Sequence, residues 1–226
     1  MTRWIKSLLL AVGLVAATVA QADIKEGTEY KLMAQPVPVQ VPGKIEVIEF
    51  FWYGCPHCFH VEPYVEQWAA KLPSDVNFIR YHVVWQGRSD IEAHAKIFIA
   101  LNQMGIAGKY QQAVFNAIQR DGVELRREDT LYDWVKKQGI DVNKFKAAYT
   151  SFSASAEVGK LGQLVDTYHI DGVPTFIVDG KFVTAPSMVG KEDGTVLTVI
   201  DQLIAKERAA KKPAAAAATG ETKKKK

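Results

Sequence analysis

The 226-residue chain has two cysteines, and they stand three apart in Cys55-Pro56-His57-Cys58. Thiol–disulfide exchange needs an accessible thiolate and a second thiol close enough to resolve the mixed disulfide. If the motif opens a helix, the unpaired N–H groups and the positive dipole end stabilise Cys55 as a thiolate. Cys58, one turn on, lies within bridging reach as the less exposed resolver. Pro56 suits the first helical position, where its missing N–H leaves no bond unmade. His57 adds an imidazole whose protonated form favours the anion further. Stabilising the thiolate stabilises the reduced state, and that makes the disulfide a stronger oxidant.

Other chemistries fit less well. A structural disulfide would close a tiny loop and constrain little of the unfolded chain, and it hardly needs a strand-to-helix position. Zinc wants four ligands, but Cys55, Cys58, His57 and His60 crowd a turn and a half of one helix. Covalent haem needs a His directly after the second Cys, and position 59 is Phe. No metal is expected.

The surrounding elements must put the motif where it can react. Ile45-Glu46-Val47-Ile48-Glu49-Phe50-Phe51-Trp52 is almost continuously apolar, as a centrally buried strand is. Gly54 ends it, and a helix from Cys55 towards Leu72 is predicted, kinked at Pro63. Val76 to Val84 reads as a second strand. From Asp90 to about His169 apolar residues recur at helical spacing, with Gly105, Gly108, Gly122 and Gly139 as punctuation. Strands resume at Thr175, and Asp179-Gly180 between Phe176-Ile177-Val178 and Lys181-Phe182-Val183 signals a hairpin with a type I′ turn. A closing helix from Gly194 is expected to stop before Pro213. The pattern is α/β with a helical block inserted, and the two halves of the α/β unit must reunite to cover their sheet.

On the first strand Glu49 shares a face with Val47 and Phe51, six residues before Cys55. A carboxylate there is desolvated, which raises its pKa; an acid near a strand edge, paired or wet, is the alternative. Glu46 lies on the opposite face. His94 sits on the apolar side of a helix as a core histidine, and His82 and His169 are given no role. Trp52, Trp85 and Trp134 read as core or groove wall.

Composition bounds the rest. With 48% hydrophobic and 23% charged residues the chain is an ordinary folded protein. The net charge of +3 conceals a mildly acidic body: residues 1–22 carry +2 and residues 211–226 carry +5, leaving −4 over 23–210. Nucleic acid is therefore not an expected partner. Arg3 and Lys6, the apolar run Leu8 to Val19, and Ala20-Gln21-Ala22 form a secretory signal with an A-x-A cleavage pattern. Residues 211–226, rich in Ala and Lys, read as a disordered tail.

Glu49-Phe50-Phe51, Cys55-Pro56-His57-Cys58 and Gly172-Val173-Pro174-Thr175, with a helical block between them, resemble the DsbA family of periplasmic thiol:disulfide oxidoreductases over roughly residues 27–208. The resemblance implies a thioredoxin-like fold: a domain from 23–88 and 170–210, with an inserted helical domain over 89–169. It implies a dithiol oxidase that donates its Cys55–Cys58 disulfide to reduced exported proteins and is reoxidised by a quinone-linked membrane oxidase of the DsbB type. No cofactor and a monomer are expected. The family places Val173–Pro174 in the cis form facing the cysteines, with Val173, Pro174 and Thr175 binding an extended substrate strand. It makes Glu49 a buried acid that relays protons for Cys58, and it places a second acid, Glu62, towards Arg80, where a plain surface pair is the alternative. The lysine-rich tail departs from the family pattern. Two other functions share these residues: a reductase or isomerase, and a non-catalytic peptide-binding module with a structural Cys pair.

Overall fold

All seven residues of Ile45–Phe51 are buried, which is what a nearly unbroken apolar run requires of a strand covered on both faces. A computed structural model describes residues 23–221. The predicted signal segment and residues 222–226 lie outside the described residues. In chain order the elements are β1 (Lys31–Leu32), β2 (Ile45–Phe51), α1 (Pro56–Ala69), β3 (Val76–His82), α2 (Ser89–Gln103), α3 (Ala107–Phe115), a π-helical turn (Asn116–Arg120), α4 (Glu128–Lys137), α5 (Val142–Tyr149), α6 (Phe152–Thr167), β4 (Thr175–Val178), β5 (Phe182–Thr184), α7 (Pro186–Val189) and α8 (Thr195–Glu221).

The five strands form one mixed sheet in the order β1-β5-β4-β2-β3. β2 runs parallel to β3, from Ile45 opposite Val76 to Phe51 opposite His82. On its other side β2 pairs antiparallel with β4, Val47 opposite Val178 and Phe50 opposite Thr175. Strands from before and after the helical block thus lie side by side, which is the reunion the pattern demanded. Asp179 and Gly180 both have positive φ, 51° and 64°, as a type I′ turn requires. At Gly180 a Cβ would also lie 1.8 Å from the carbonyl oxygen of Val37.

The sheet is covered on both faces. Val47, Phe176 and Val178 pack under α1 and α8, against Val61, Val65, Ile200 and Leu203. Ile48, Phe50 and Ile177 pack on the opposite face against Ile91 of α2 and Val165 and Tyr168 from the α6 end. A third cluster joins Leu101, Phe115, Leu131 and Phe145 of the helical block to Phe51, Tyr53 and both cysteines. Each large apolar side chain buried there contributes roughly 1.5–3 kcal/mol, so the block is anchored at the thiol pair itself.

Three boundaries differ from expectation. β3 ends at His82, two residues short. α1 ends at Ala69 and not near Leu72, because Leu72 precedes Pro73 and is disfavoured in the helical region. α8 continues past Pro213 to Glu221, where a disordered tail was expected; Ala214–Ala218 has the highest helix propensity of any residue type. Lys211, placed in the tail by sequence, belongs to the packed body: its Nζ donates to Asp179 Oδ1 at 2.7 Å and to the Lys44 carbonyl at 2.9 Å.

Candidate active site

Cys55 caps the N-terminus of α1 with extended backbone (φ −91°, ψ 117°), and Pro56 takes the first helical position. The turn that delivers it is closed by the Cys55 N–H, which donates to the Trp52 carbonyl at 3.0 Å. Gly54 is needed inside that turn, because a Cβ would lie 2.3 Å from the Trp52 ring. The Trp52 ring is held in turn by its N–H, which donates to Nδ1 of His94 at 3.1 Å. Burial keeps His94 neutral, with its pKa lowered to about 4, so the core-histidine reading of His94 stands.

Both cysteines are free thiols in this structure, and both are buried. Cys55 is 6% exposed and Cys58 is fully buried. The Cys55 pKa is lowered to about 6, first by a hydrogen bond from the Cys58 thiol and then by the backbone N–H groups of Cys58 and His57, with a smaller contribution from the His57 charge. Desolvation opposes these without overcoming them. Burial pushes the Cys58 thiol well up, and the neighbouring Cys55 and Glu49 charges add to the rise. The same two residue types therefore hold opposite protonation preferences, the helix terminus favouring the anion on one and the core disfavouring it on the other.

His57 lies at the rim, its side chain 62% exposed, and its Nδ1 meets a carboxylate oxygen of Glu192. The other Glu192 oxygen meets Nδ1 of His60 at 2.9 Å. Across the motif the Val173–Pro174 bond is cis, and the Cys55 thiol donates to the Val173 carbonyl at 3.3 Å. Thr175 opens β4 and its hydroxyl donates to the Gly172 carbonyl at 2.7 Å. A groove of 820 Å³ runs beside this loop, with His57, Val173, Pro174, Met33, Met188 and Glu192 among its walls.

Beneath the cysteines Glu49 is 1% exposed and Glu62 fully buried. Arg80, directly opposite Glu49 on β3, bridges them: Nε lies 2.9 Å from Glu49 and Nη2 2.9 Å from Glu62. The pair with Glu62 is thus a core ion pair and not a surface one. Burial raises the Glu49 pKa, with Arg80 opposing, and raises that of Glu62 to about 8. One cation shared by two desolvated acids cannot keep both ionised cheaply, so the cluster holds protons near neutrality.

The structure gathers the cysteines, His57, Glu49 and the Val173–Thr175 loop around one turn. Sequence reasoning missed four contributors: His82, which accepts from the Tyr53 N–H, Gln111 and Gln119, which bond Tyr53 from the helical block, and Glu192. Nothing local marks them, since each acts across 29 to 135 residues of chain. Among the described residues no group of three or more ligating side chains could hold a metal ion, and no helix is long and apolar enough to cross a membrane.

Residues 79–193 match the DSBA-like thioredoxin domain family, a stretch that takes in the helical block and the cis-proline loop. The chain is 43% identical over 215 residues to the thiol:disulfide interchange protein DsbA of Pseudomonas syringae pv. tomato, covering 92% of this chain and 99% of that one. It is 41% identical to the DsbA of Burkholderia cepacia over 90% of this chain and 96% of that one. Among solved structures, Pseudomonas aeruginosa DsbA superposes with a TM-score of 0.76 at 40% identity, over 82% of this chain and 95% of that one. Reduced DsbA1 of Neisseria meningitidis gives 0.74 at 32% identity, over 85% and 100%. With its thioredoxin-like fold, and with relatives matched over 90–92% of its length, this chain belongs to the DsbA family of thiol:disulfide oxidoreductases.

Proposed function

We propose that the chain is an exported, periplasmic dithiol oxidase in which Cys55 is the exchanging sulfur and Cys58 the resolving one. The observation that carries this reading is the placement of the two thiols, Cys55 at the N-terminus of α1 with its pKa lowered to about 6 and Cys58 fully buried with its pKa raised. In the oxidised protein a substrate thiolate attacks Cys55, the Cys55–Cys58 bond breaks, and Cys58 leaves with the electron pair and takes up a proton. The substrate's second thiolate then attacks the substrate sulfur of the mixed disulfide. The substrate disulfide forms and Cys55 departs as a thiolate, a good leaving group because its pKa is low. The pair ends two electrons reduced, and a quinone-linked membrane oxidase of the DsbB type is the proposed reoxidant. Export and a periplasmic site rest on the signal-like N-terminus. One chain supplies both cysteines and the cis-proline loop, so a monomer suffices.

The Val173 carbonyl facing Cys55 supports a substrate strand laid along the Val173–Thr175 loop, its main chain pairing with the loop and its cysteine over Cys55. Glu49, below Cys58, is the proposed proton reservoir for the leaving sulfur. Glu49→Gln keeps the shape and removes the charge, so the pH dependence of exchange should change while the fold survives. Glu46→Gln is the control: Glu46 is buried too, but it accepts from the Gln40 N–H and faces away from the cysteines. Superimposable rate–pH profiles for wild type and both variants would take Glu49 out of the mechanism.

Ultraviolet titration of the reduced protein tests the oxidase reading. A Cys55 thiolate forming near pH 6 supports it; a value near neutral supports a reductase, and an unreactive pair the binding module. His57→Ala should raise the Cys55 value by less than about one unit and make the disulfide less oxidising, because the imidazole is the smallest of the stabilising contributions. A reduction potential unchanged within error would leave His57 without a part in the chemistry.

A further inference from the structure

Tyr53 lies two residues before Cys55 and is fully buried. Each of its polar groups is held by a side chain from outside the active-site turn. The N–H donates to Nε2 of His82 at 3.3 Å, the carbonyl accepts from Nε2 of Gln119 at 2.8 Å, and the phenol donates to Oε1 of Gln111 at 2.8 Å. His82 uses Nδ1 to donate to the Val83 carbonyl at 2.8 Å, and burial lowers its pKa to about 3. It is therefore a fixed neutral acceptor. The ring of Tyr53 packs edge-on against Phe51 and Phe115, with centroids 5.1 Å and 5.0 Å away.

Two of the three grips come from the helical block. Gln111 is on α3, and Gln119 is in the π-helical turn that follows, where the Asp121 N–H reaches back five residues to the Asn116 carbonyl at 2.9 Å. An extra residue in a helical turn re-aims the side chains that follow, and such turns are frequent at functional sites. Here the re-aimed side chain is Gln119, and its target is the middle of the Trp52–Cys55 turn.

We propose that Gln119 is a positioning residue for Cys55, through which the helical block sets the geometry of the exchanging thiolate. The proposal rests on Cys55 being the exchanging sulfur. The Cys58 thiol, and after it the Cys58 and His57 N–H groups of the first helical turn, lower the Cys55 pKa, and they act on the sulfur only if the turn delivers Sγ onto the helix axis. Holding the Tyr53 carbonyl orients the 53–54 peptide and so the step into Cys55. Releasing it lets that peptide rotate, loosens the sulfur from its donors and weakens the thiolate.

The test is ultraviolet titration of Cys55 in reduced wild type, Gln119→Met and Ile140→Val, with the equilibrium of each against glutathione. Gln119→Met keeps the volume and removes the donor. Ile140→Val trims the same core cluster without removing any hydrogen bond to the turn. Gln119→Met is expected to raise the Cys55 pKa by about half a unit to one unit, a roughly three- to tenfold loss of oxidising equilibrium, whereas Ile140→Val titrates with wild type. Coincident wild-type and Gln119→Met curves overturn the assignment, as does an equal shift in Ile140→Val, which would mean general loosening. A wild-type Cys55 that titrates as an ordinary thiol overturns the exchange reading together with it.

Discussion

Cys55→Ser is expected to abolish disulfide exchange, and Cys58→Ala to accumulate mixed disulfides with substrate. The asymmetry follows from the two environments. Cys55 is the sulfur at the helix N-terminus, the only one of the pair that ionises near pH 6, so no exchange starts without it. Removing Cys58 leaves that nucleophile intact. In Cys58→Ala a bond formed between Cys55 and a partner has no neighbouring thiol to release it, and adducts persist. Cys55 should titrate higher in Cys58→Ala, because the largest single contribution to its low pKa is the bond from the Cys58 thiol. Non-reducing gels of the Cys58 variant check the first point and ultraviolet titration the second. Absence of adducts, or adducts in the Cys55 variant instead, would reverse the roles.

Arg80→Met should destabilise the protein by about 3–5 kcal/mol at pH 8, because it strands two buried carboxylates without their cation. The loss should shrink markedly at pH 5, where both acids can be neutral. The wild type also carries a pH signature from this cluster. Glu62 has a pKa of about 8 in the folded chain against 4.5 in the ordinary range. The folded state therefore binds more protons than the unfolded state between those values. The contribution of Glu62 to stability is fully present below about pH 4.5 and is lost as the pH rises through 8. Glu62→Gln should flatten that slope. Cys55 acts in the opposite sense, since its folded pKa is depressed: its contribution is complete above the unfolded value of 9 and is lost as pH falls through about 6. Urea unfolding should therefore be run on the disulfide form, in which neither cysteine titrates, at pH 5, 6.5 and 8. A wild-type slope equal to that of Glu62→Gln would place the protons elsewhere.

Much of the site is local in origin, and that part was readable from the residues. A continuous apolar strand, a glycine, and Cys55-Pro56 at a helix start lie within a dozen residues, and their geometry follows from backbone rules that act over one turn. The Asp179-Gly180 hairpin is legible for the same reason, because positive φ at two successive residues selects those types. The helical block was visible as a change of period, although the π-helical turn was not: an extra residue in one turn leaves no mark on apolar spacing.

Glu49 shows where local reading runs out. Its side of the strand was evident from alternation, but whether it would be charged, neutral or paired depended on Arg80 and Glu62, which come from two other elements. Glu62 was read as a possible surface residue and proved fully buried, because the helical block covers that side of α1. Glu46, on the opposite face of the strand, is buried as well, since the sheet is covered on both faces.

The reactive pair, the elements that carry it, the inserted block and the family are written in residue types and their short-range spacing. Which cations and amides surround the pair follows from packing alone. Desolvation and hydrogen bonding fall off within a few ångströms, and the groups that supply them to Cys58, Glu49 and Tyr53 are brought that close by packing, across tens of residues of chain that carry no trace of the meeting.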